Sequence, residues 1–267
     1  MGKLSNCKRM VIKLGSSTLT HESGHINIRR MEEIVKILSD FKNSGIEVIV
    51  VSSGAVSAGV ARTKLGRRPG SVREKQAMAA VGQSEIMRMY DKFFSSYGHT
   101  VAQILMTKDV VEDVQRREAC EDTFNTLLEM GCVPIVNEND SVSTAEIKFG
   151  GNDTLSAYVA LVAKADVVLN LSDIEGLYDS DPRKNPNAKF ISRVDSIDEE
   201  LVKIAGGAGT ERGTGGMATK IEAAKILTEA GISMFILNGH RPEVLYELFD
   251  GVPVGTYFKA KEKAVEK

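Results

Sequence analysis

The feature that most constrains the fold is a recurring pair. A short, continuous apolar run ends abruptly in small or polar residues, and a stretch of helical periodicity follows. Met10-Val11-Ile12, Glu47 to Val51, Val101 to Met106, Cys132 to Val136, Val167 to Leu171 and Ile232 to Leu237 are such runs. They are short and mostly rich in β-branched residues, and most lack strict alternation, so they read as strands covered on both faces. Between them, Ile28 to Ser44, Gln76 to Tyr97, Asp113 to Met130, Leu155 to Ala165 and Met217 to Ala230 carry apolar residues at helical spacing. Gly45, Gly98 and Gly131 supply left-handed stops. Shorter helices are expected at Glu199 to Ala205 and Pro242 to Phe249, with a last strand at Val254 to Phe258. This alternation specifies an α/β fold: a three-layer αβα sandwich with a mostly parallel open sheet, joined by right-handed crossovers. No repeat, linker or break in composition divides the chain, and residues 1–267 read as a single domain.

Three stretches resist this scheme. Thr63 to Glu74 is basic and glycine-containing and reads as a mobile loop; Gly176 to Pro186 reads as a long loop. Pro134 lies inside an apolar run, where it is tolerated only if its missing N–H avoids a central ladder position.

In a parallel sheet, ligands gather at the carboxyl ends of the strands. Gly15-Ser16-Ser17, Ser52-Ser53-Gly54, Asn137 to Asp140 and Ser172-Asp173 each follow an apolar run directly, so the fold brings them to one edge. Turn chemistry alone also produces such ends. Lys13 sits at the end of the first run, where an ammonium is costly unless an anion or carboxylate meets it. A second lysine, Lys220, follows the glycine-rich stretch Gly213-Thr214-Gly215-Gly216-Met217-Ala218-Thr219. That stretch is either a surface loop before a helix or an anion cradle, and a lysine in a first helical turn opposes the helix dipole unless an anion intervenes. Two lysines beside glycine loops suit phosphoryl transfer, which depends on positioning and charge neutralisation and needs no covalent nucleophile on the protein. Asp153 could orient both ammonium groups, or cap the helix that begins at Leu155, or do both.

Composition removes several classes of function. A formal net charge of −2 is a poor match for nucleic acid. No run reaches the roughly 20 apolar residues of a membrane span, and no apolar signal region opens the chain, so a cytoplasmic protein is expected. Three cysteines, none in a Cys-x-x-Cys pair, indicate neither a disulfide framework nor a zinc site, and the four histidines show no metal-ligand spacing. Neither a P-loop nor a Gly-x-Gly-x-x-Gly dinucleotide fingerprint is present.

Six ordered motifs now stand together: Val11 to Ser17, Ser52 to Ala55, Asn137 to Asp140, Gly151-Asn152-Asp153, Leu171 to Asp173 with Gly176-Leu177-Tyr178 and Asp181-Pro182, and Gly213 to Lys220. In this set the chain resembles the amino acid kinase family, and within it the branch that phosphorylates L-glutamate. The resemblance implies that ATP phosphorylates the γ-carboxylate of L-glutamate, giving L-glutamyl 5-phosphate on the route to proline. By the same resemblance, Lys13 and Lys220 neutralise the transferring phosphoryl group and Asp153 organises them. Ser53, Asp140 and Asn152 hold glutamate. ATP is held by Lys13, Ser172, Asp173, Thr214, Gly215, Gly216, Met217, Ala218, Thr219 and Lys220. Mg²⁺ rides on the nucleotide phosphates, with no direct protein ligand. The glutamate-binding part spans about 1–165 and the ATP-binding part about 166–260, without the PUA domain many bacterial relatives append. The resemblance also implies a dimer or tetramer, inhibition by proline and coupling to glutamate 5-phosphate reductase. Ser172 departs from the usual Thr but keeps its hydroxyl; Ala218 replaces a frequent Ser. A non-catalytic amino acid or nucleotide sensor on the same fold, or a kinase acting on another small molecule, is the alternative.

Overall fold

The computed structural model describes residue 4 and residues 7–63, 65–144, 149–182, 184–206 and 216–261. Of the expected site residues, Thr214 and Gly215 lie outside these, as does most of the glycine-rich stretch.

In chain order the elements are β1 (Arg9–Leu14), α1 (Ser16–Leu19), α2 (Ile28–Asn43), β2 (Glu47–Val51), α3 (Ala55–Arg62), α4 (Val72–Ser95), β3 (Val101–Met106), α5 (Asp109–Glu112), α6 (Val114–Glu129) and β4 (Val133–Glu138). There follow α7 (Asn152–Val162), β5 (Val167–Ser172), β6 (Leu177–Tyr178), β7 (Phe190–Ile191), β8 (Arg193–Val194), α8 (Glu199–Gly206), α9 (Met217–Glu229), β9 (Ser233–Asn238), α10 (Val244–Phe249) and β10 (Thr256–Phe258). Eight strands form one sheet in the order β3-β4-β2-β1-β5-β9-β10-β8. It is parallel from β3 to β9 and turns antiparallel between β9 and β10. This is the mostly parallel sheet that the alternation of elements specifies.

Period-two alternation sorts the side chains into two cores. Met10, Ile12 and Leu14 of β1 face a layer built with α2, α3, α4 and α10. Val11 faces the opposite layer, with α6, α7 and α9. By the same alternation Lys13 points to the α7 and α9 side. In β5, Val167, Leu169 and Leu171 belong to the first core and Val168 to the second, which sends Asn170 towards α7 as well. Lys13 and Asn170 are direct register partners.

The boundaries differ from expectation where local chemistry overrides composition. Val72 to Glu74 is not loop but the first turn of α4: Ser71 accepts from the Glu74 N–H, and the Glu74 carboxylate reaches back to the Ser71 N–H, a capping box. Arg67 also pairs with Glu74, at 2.5 Å. Helix α7 begins at Asn152 rather than Leu155, with Gly151 at its N-cap (φ 143), so Asp153 is inside the first turn and is not the cap. The expected loop 176–186 contains β6, which pairs with β7. Pro134 is accommodated in an inner strand. Val133 donates to Thr100 and Asn139 to Met106, so odd-numbered residues of β4 bond towards β3. Pro134 faces β2, whose pairing with β4 begins only at Ile135.

Candidate active site at the carboxyl edge of the sheet

Strands β4, β2, β1 and β5 are neighbours and parallel, so the four polar strand ends do converge on one edge. There, the Lys13 ammonium lies 2.6 Å from Oδ1 of Asp153, and the Lys220 ammonium lies 3.2 Å from Oδ2. All three are nearly excluded from water, at 5%, 4% and 1% exposure. Such groups are tolerated only when charge meets charge and the remaining lone pairs are filled. They are filled here. Asn170 Nδ2 donates to Oδ1 at 2.9 Å. The Thr219 hydroxyl is 2.8 Å from both Oδ2 and the Gly216 carbonyl oxygen, and its single hydrogen serves one of them at a time.

This environment sets the ionisation of the centre. Burial pushes the Asp153 carboxyl up, but the charges of Lys13 and Lys220, with hydrogen bonds from Lys13 and Asn170, hold it well below the usual carboxylate range. Asp153 is therefore an ionised anchor with its oxygens engaged, and no general base. Its place in the first turn of α7 adds the favourable end of the helix dipole. Burial pulls the Lys13 ammonium below its ordinary value; Asp153 opposes that pull, and the charge of Lys220 adds to it. An anion received beside the two ammonium groups would reverse the shift. Chemically the arrangement is suited to holding a highly charged oxyanion, and it offers no nucleophile.

Beside this centre lies a second cluster made of neutral groups. Asn152, one residue before Asp153, directs Nδ2 at the Ser52 carbonyl oxygen (2.5 Å), Ser53 Oγ (2.9 Å) and Asn137 Oδ1 (2.9 Å). Gly54 adopts φ 94 so that the chain can turn from β2 into α3 directly after Ser53. The buried Tyr90 hydroxyl of α4 lies 3.0 Å from Ser52 Oγ and fixes the same turn from beneath. Asp140 is half-buried in the turn that follows β4, which is closed by the Val142 and Ser143 N–H groups on the Asn139 carbonyl.

The sequence-predicted residues thus fall into groups. Lys13, Lys220 and Thr219 all meet at Asp153, and Ser53 meets Asn152. Ser172 ends β5 at the same edge, its hydroxyl 3.1 Å from Oδ1 of the exposed Asp173. Gly216 caps α9, Met217 is buried in its first turn, and Ala218 is exposed. Asn137 belongs to a strand end expected at this edge, whereas Asn170, Gln83 and Tyr90 were not expected at the site. Asn170 left a signal, a polar residue in the middle of Val167-Val168-Leu169-Asn170-Leu171.

The amino acid kinase family model matches residues 8–238. The chain belongs to the amino acid kinase family. Within the family it is 52% identical to a glutamate 5-kinase of Clostridium acetobutylicum, covering 97% of each chain. It is 49% identical to one of Clostridium perfringens, covering 97% of this chain and 98% of that one. The fold is shared by more distant solved structures: a UMP kinase of Bacillus anthracis superposes over 96% of this chain and 97% of its own (TM-score 0.66, 19% identity). A crystal structure of isopentenyl phosphate kinase covers 94% of this chain and 100% of its own (TM-score 0.64, 19% identity). For an amino acid kinase, a lysine on β1 and a lysine on α9 joined by one carboxylate from α7 form the most buried charged group at the carboxyl edge among the described residues.

Proposed function

We propose that this protein is an ATP-dependent kinase that phosphorylates the γ-carboxylate of L-glutamate, the reaction that opens proline synthesis. The reading is carried by the pairing of Lys13 and Lys220 through Asp153, next to Ser53 and Asn152, in a chain about half identical over its length to glutamate 5-kinases. A γ-carboxylate oxygen forms a bond to the γ-phosphorus of ATP as the bond to the bridging oxygen breaks, and the electron pair leaves with ADP. The acceptor is already ionised near neutral pH, so no proton has to be removed. That agrees with a centre that contains cations and a saturated carboxylate rather than a base.

In this reading Lys13 and Lys220 spread the negative charge of the transferring group. Asp153 is a positioning residue that fixes the two ammonium groups relative to each other. Ser53 and Asn152, with Asp140, take the amino-acid end of glutamate, and Ser172, Asp173 and residues 214–220 take the nucleotide. Mg²⁺ on the nucleotide phosphates would supply further charge neutralisation, and Asp153, its oxygens already engaged, is not among its ligands. The product is an acyl phosphate, which hydrolyses readily, so prompt consumption by a reductase belongs to the same reading. So do a homo-oligomer and inhibition by the pathway's end product, proline.

The test is formation of γ-glutamyl hydroxamate from L-glutamate, Mg·ATP and hydroxylamine, with the parent, Lys13→Ala and Lys220→Ala. Product from the parent and a loss of at least about 10²-fold in both variants are expected. A folded, ATP-binding parent that makes no hydroxamate refutes the assignment to glutamate.

A further inference from the structure

We infer that Gln83, on α4, is a positioning residue for the amino-acid acceptor, acting through a relay of side-chain amides whose polarity decides which atom of Asn152 faces the substrate. The inference rests on the reading of Ser53 and Asn152 as the acceptor site.

The relay begins at the sheet edge. Gln83 Nε2 donates to Gln103 Oε1 of β3 at 3.0 Å, and Asn137 Nδ2 donates to Gln83 Oε1 at 2.9 Å. Asn137 Oδ1 accepts from Asn152 Nδ2, which also reaches Ser53 Oγ. Two backbone groups, which cannot exchange roles, fix the direction. The Glu138 N–H can only donate, and it lies 2.9 Å from the Asn137 side chain, so the atom facing it is Oδ1. The Ser52 carbonyl can only accept, so the Asn152 atom 2.5 Å from it is Nδ2. Asn137 is then obliged to present its NH₂ to α4. It is only 3% exposed, and Gln83 Oε1 is the acceptor it finds there.

Two consequences reach the acceptor site. Its two amide hydrogens are shared among three acceptors, Ser52 O, Ser53 Oγ and Asn137 Oδ1, so Asn152 offers a ligand only its carbonyl oxygen, an acceptor suited to an ammonium group. Asn152 Nδ2, 2.9 Å from Ser53 Oγ, can only donate, so the Ser53 hydroxyl hydrogen is not spent on it and remains to be donated, as a carboxylate requires. The site is thereby complementary to an α-amino acid as a zwitterion. Removing Gln83 Oε1 leaves a buried NH₂ without its acceptor and frees Asn137 to rotate, and the orientation of Asn152 loosens with it.

The experiment compares steady-state kinetics of the parent, Gln83→Met and Gln83→Glu. Gln83→Met removes the acceptor at similar volume and is expected to raise KM for glutamate about tenfold, with kcat and KM for ATP within about twofold of the parent. Gln83→Glu keeps an oxygen towards Asn137, and the exposed Gln103 amide can turn to donate, so KM is expected to return to near the parent value. A merely structural role would lower stability in both variants without this split. Parental KM for glutamate in Gln83→Met, in an enzyme that does phosphorylate glutamate, overturns the inference. If the parent fails with glutamate, the functional reading falls, and the relay is judged on the ligand-free protein from the ¹⁵N side-chain amide resonances of Asn152. A shift in Gln83→Met supports it, and an unchanged signal overturns it.

Discussion

Two neighbouring clusters at one sheet edge are built by opposite means. Around Asp153, full charges meet in near-complete burial, with one carboxylate between two ammonium groups. Around Asn152, neutral amides and hydroxyls are joined end to end, and direction is set by backbone groups that cannot reverse. Consecutive residues of one helical turn serve both, so a single element aligns them. The contrast follows from what each must hold. A transferring phosphoryl group carries spread negative charge and is stabilised by cations held in place, which gives rate. An amino acid is recognised by where its donors and acceptors lie, which gives selectivity, because a buried polar group left unpaired is costly.

The contrast can be broken most severely at Asp153. In Asp153→Asn an NH₂ replaces one oxygen and must face donors, so both ammonium groups lose their common anchor. A fall in kcat of about 10²- to 10³-fold is expected, along with a loss of stability on the order of 3 kcal/mol by denaturant unfolding. A variant with parental kcat would show that the lysines need no carboxylate to hold them.

Next in size is the pH dependence of the charged cluster. Lys13 is held below 10.5, so in the free enzyme it loses its proton before an ordinary lysine does. The alkaline limb of kcat/KM should fall below pH 10.5. In that same interval the unfolded chain binds more protons than the folded one, so Lys13 makes stability rise with pH while activity declines. Asp153 has the other sign. Its folded value is depressed, so its contribution is complete above the unfolded value of about 3.9 and is lost as pH falls through the folded value. Profiles of kcat/KM and of unfolding midpoint against pH check both signs.

A smaller effect is expected where the neutral cluster meets its scaffold. A Cβ on Gly82 would lie 1.7 Å from the Ala55 carbonyl oxygen and 2.5 Å from the Gly59 nitrogen, where α3 and α4 cross. Gly82→Ala must push α3 away and tilt the turn that carries Ser53. A stability loss of about 1–3 kcal/mol and a severalfold rise in KM for glutamate are expected, with kcat little changed. The least effect belongs to Ser71→Ala, which opens the α4 capping box and removes no group that contacts either cluster; a small fall in Tm with parental kinetics would mark it as local.

Charge made the phosphoryl cluster legible from single residues, whereas in the neutral cluster Ser53, Asn137 and Asn152 were legible as strand ends and motifs and their support on α4 was not. Lys13 at the end of an apolar run demands a partner, and Lys220 behind a glycine stretch invites an anion, so the residues of the phosphoryl half stood out from local context alone. Asn170 could be seen as the polar residue in an otherwise apolar strand. Gln83 could not, because a glutamine on a helix looks like any solvent-facing polar residue until the fold places Asn137 opposite it. The start of α4 was legible but outweighed: Ser71-Val72-Arg73-Glu74 is a capping-box signature, set among basic and glycine residues that suggest a loop. Strands β6, β7 and β8 are two residues each and leave no periodicity to detect.

The division between the clusters is tested most directly by determining kcat and KM for glutamate of Asp153→Asn and Gln83→Met side by side. A division of labour predicts that the first loses kcat by at least about 10²-fold with KM changed far less, and that the second raises KM about tenfold with kcat preserved. If both substitutions move the same parameter by similar factors, the two clusters are one site and the division is wrong.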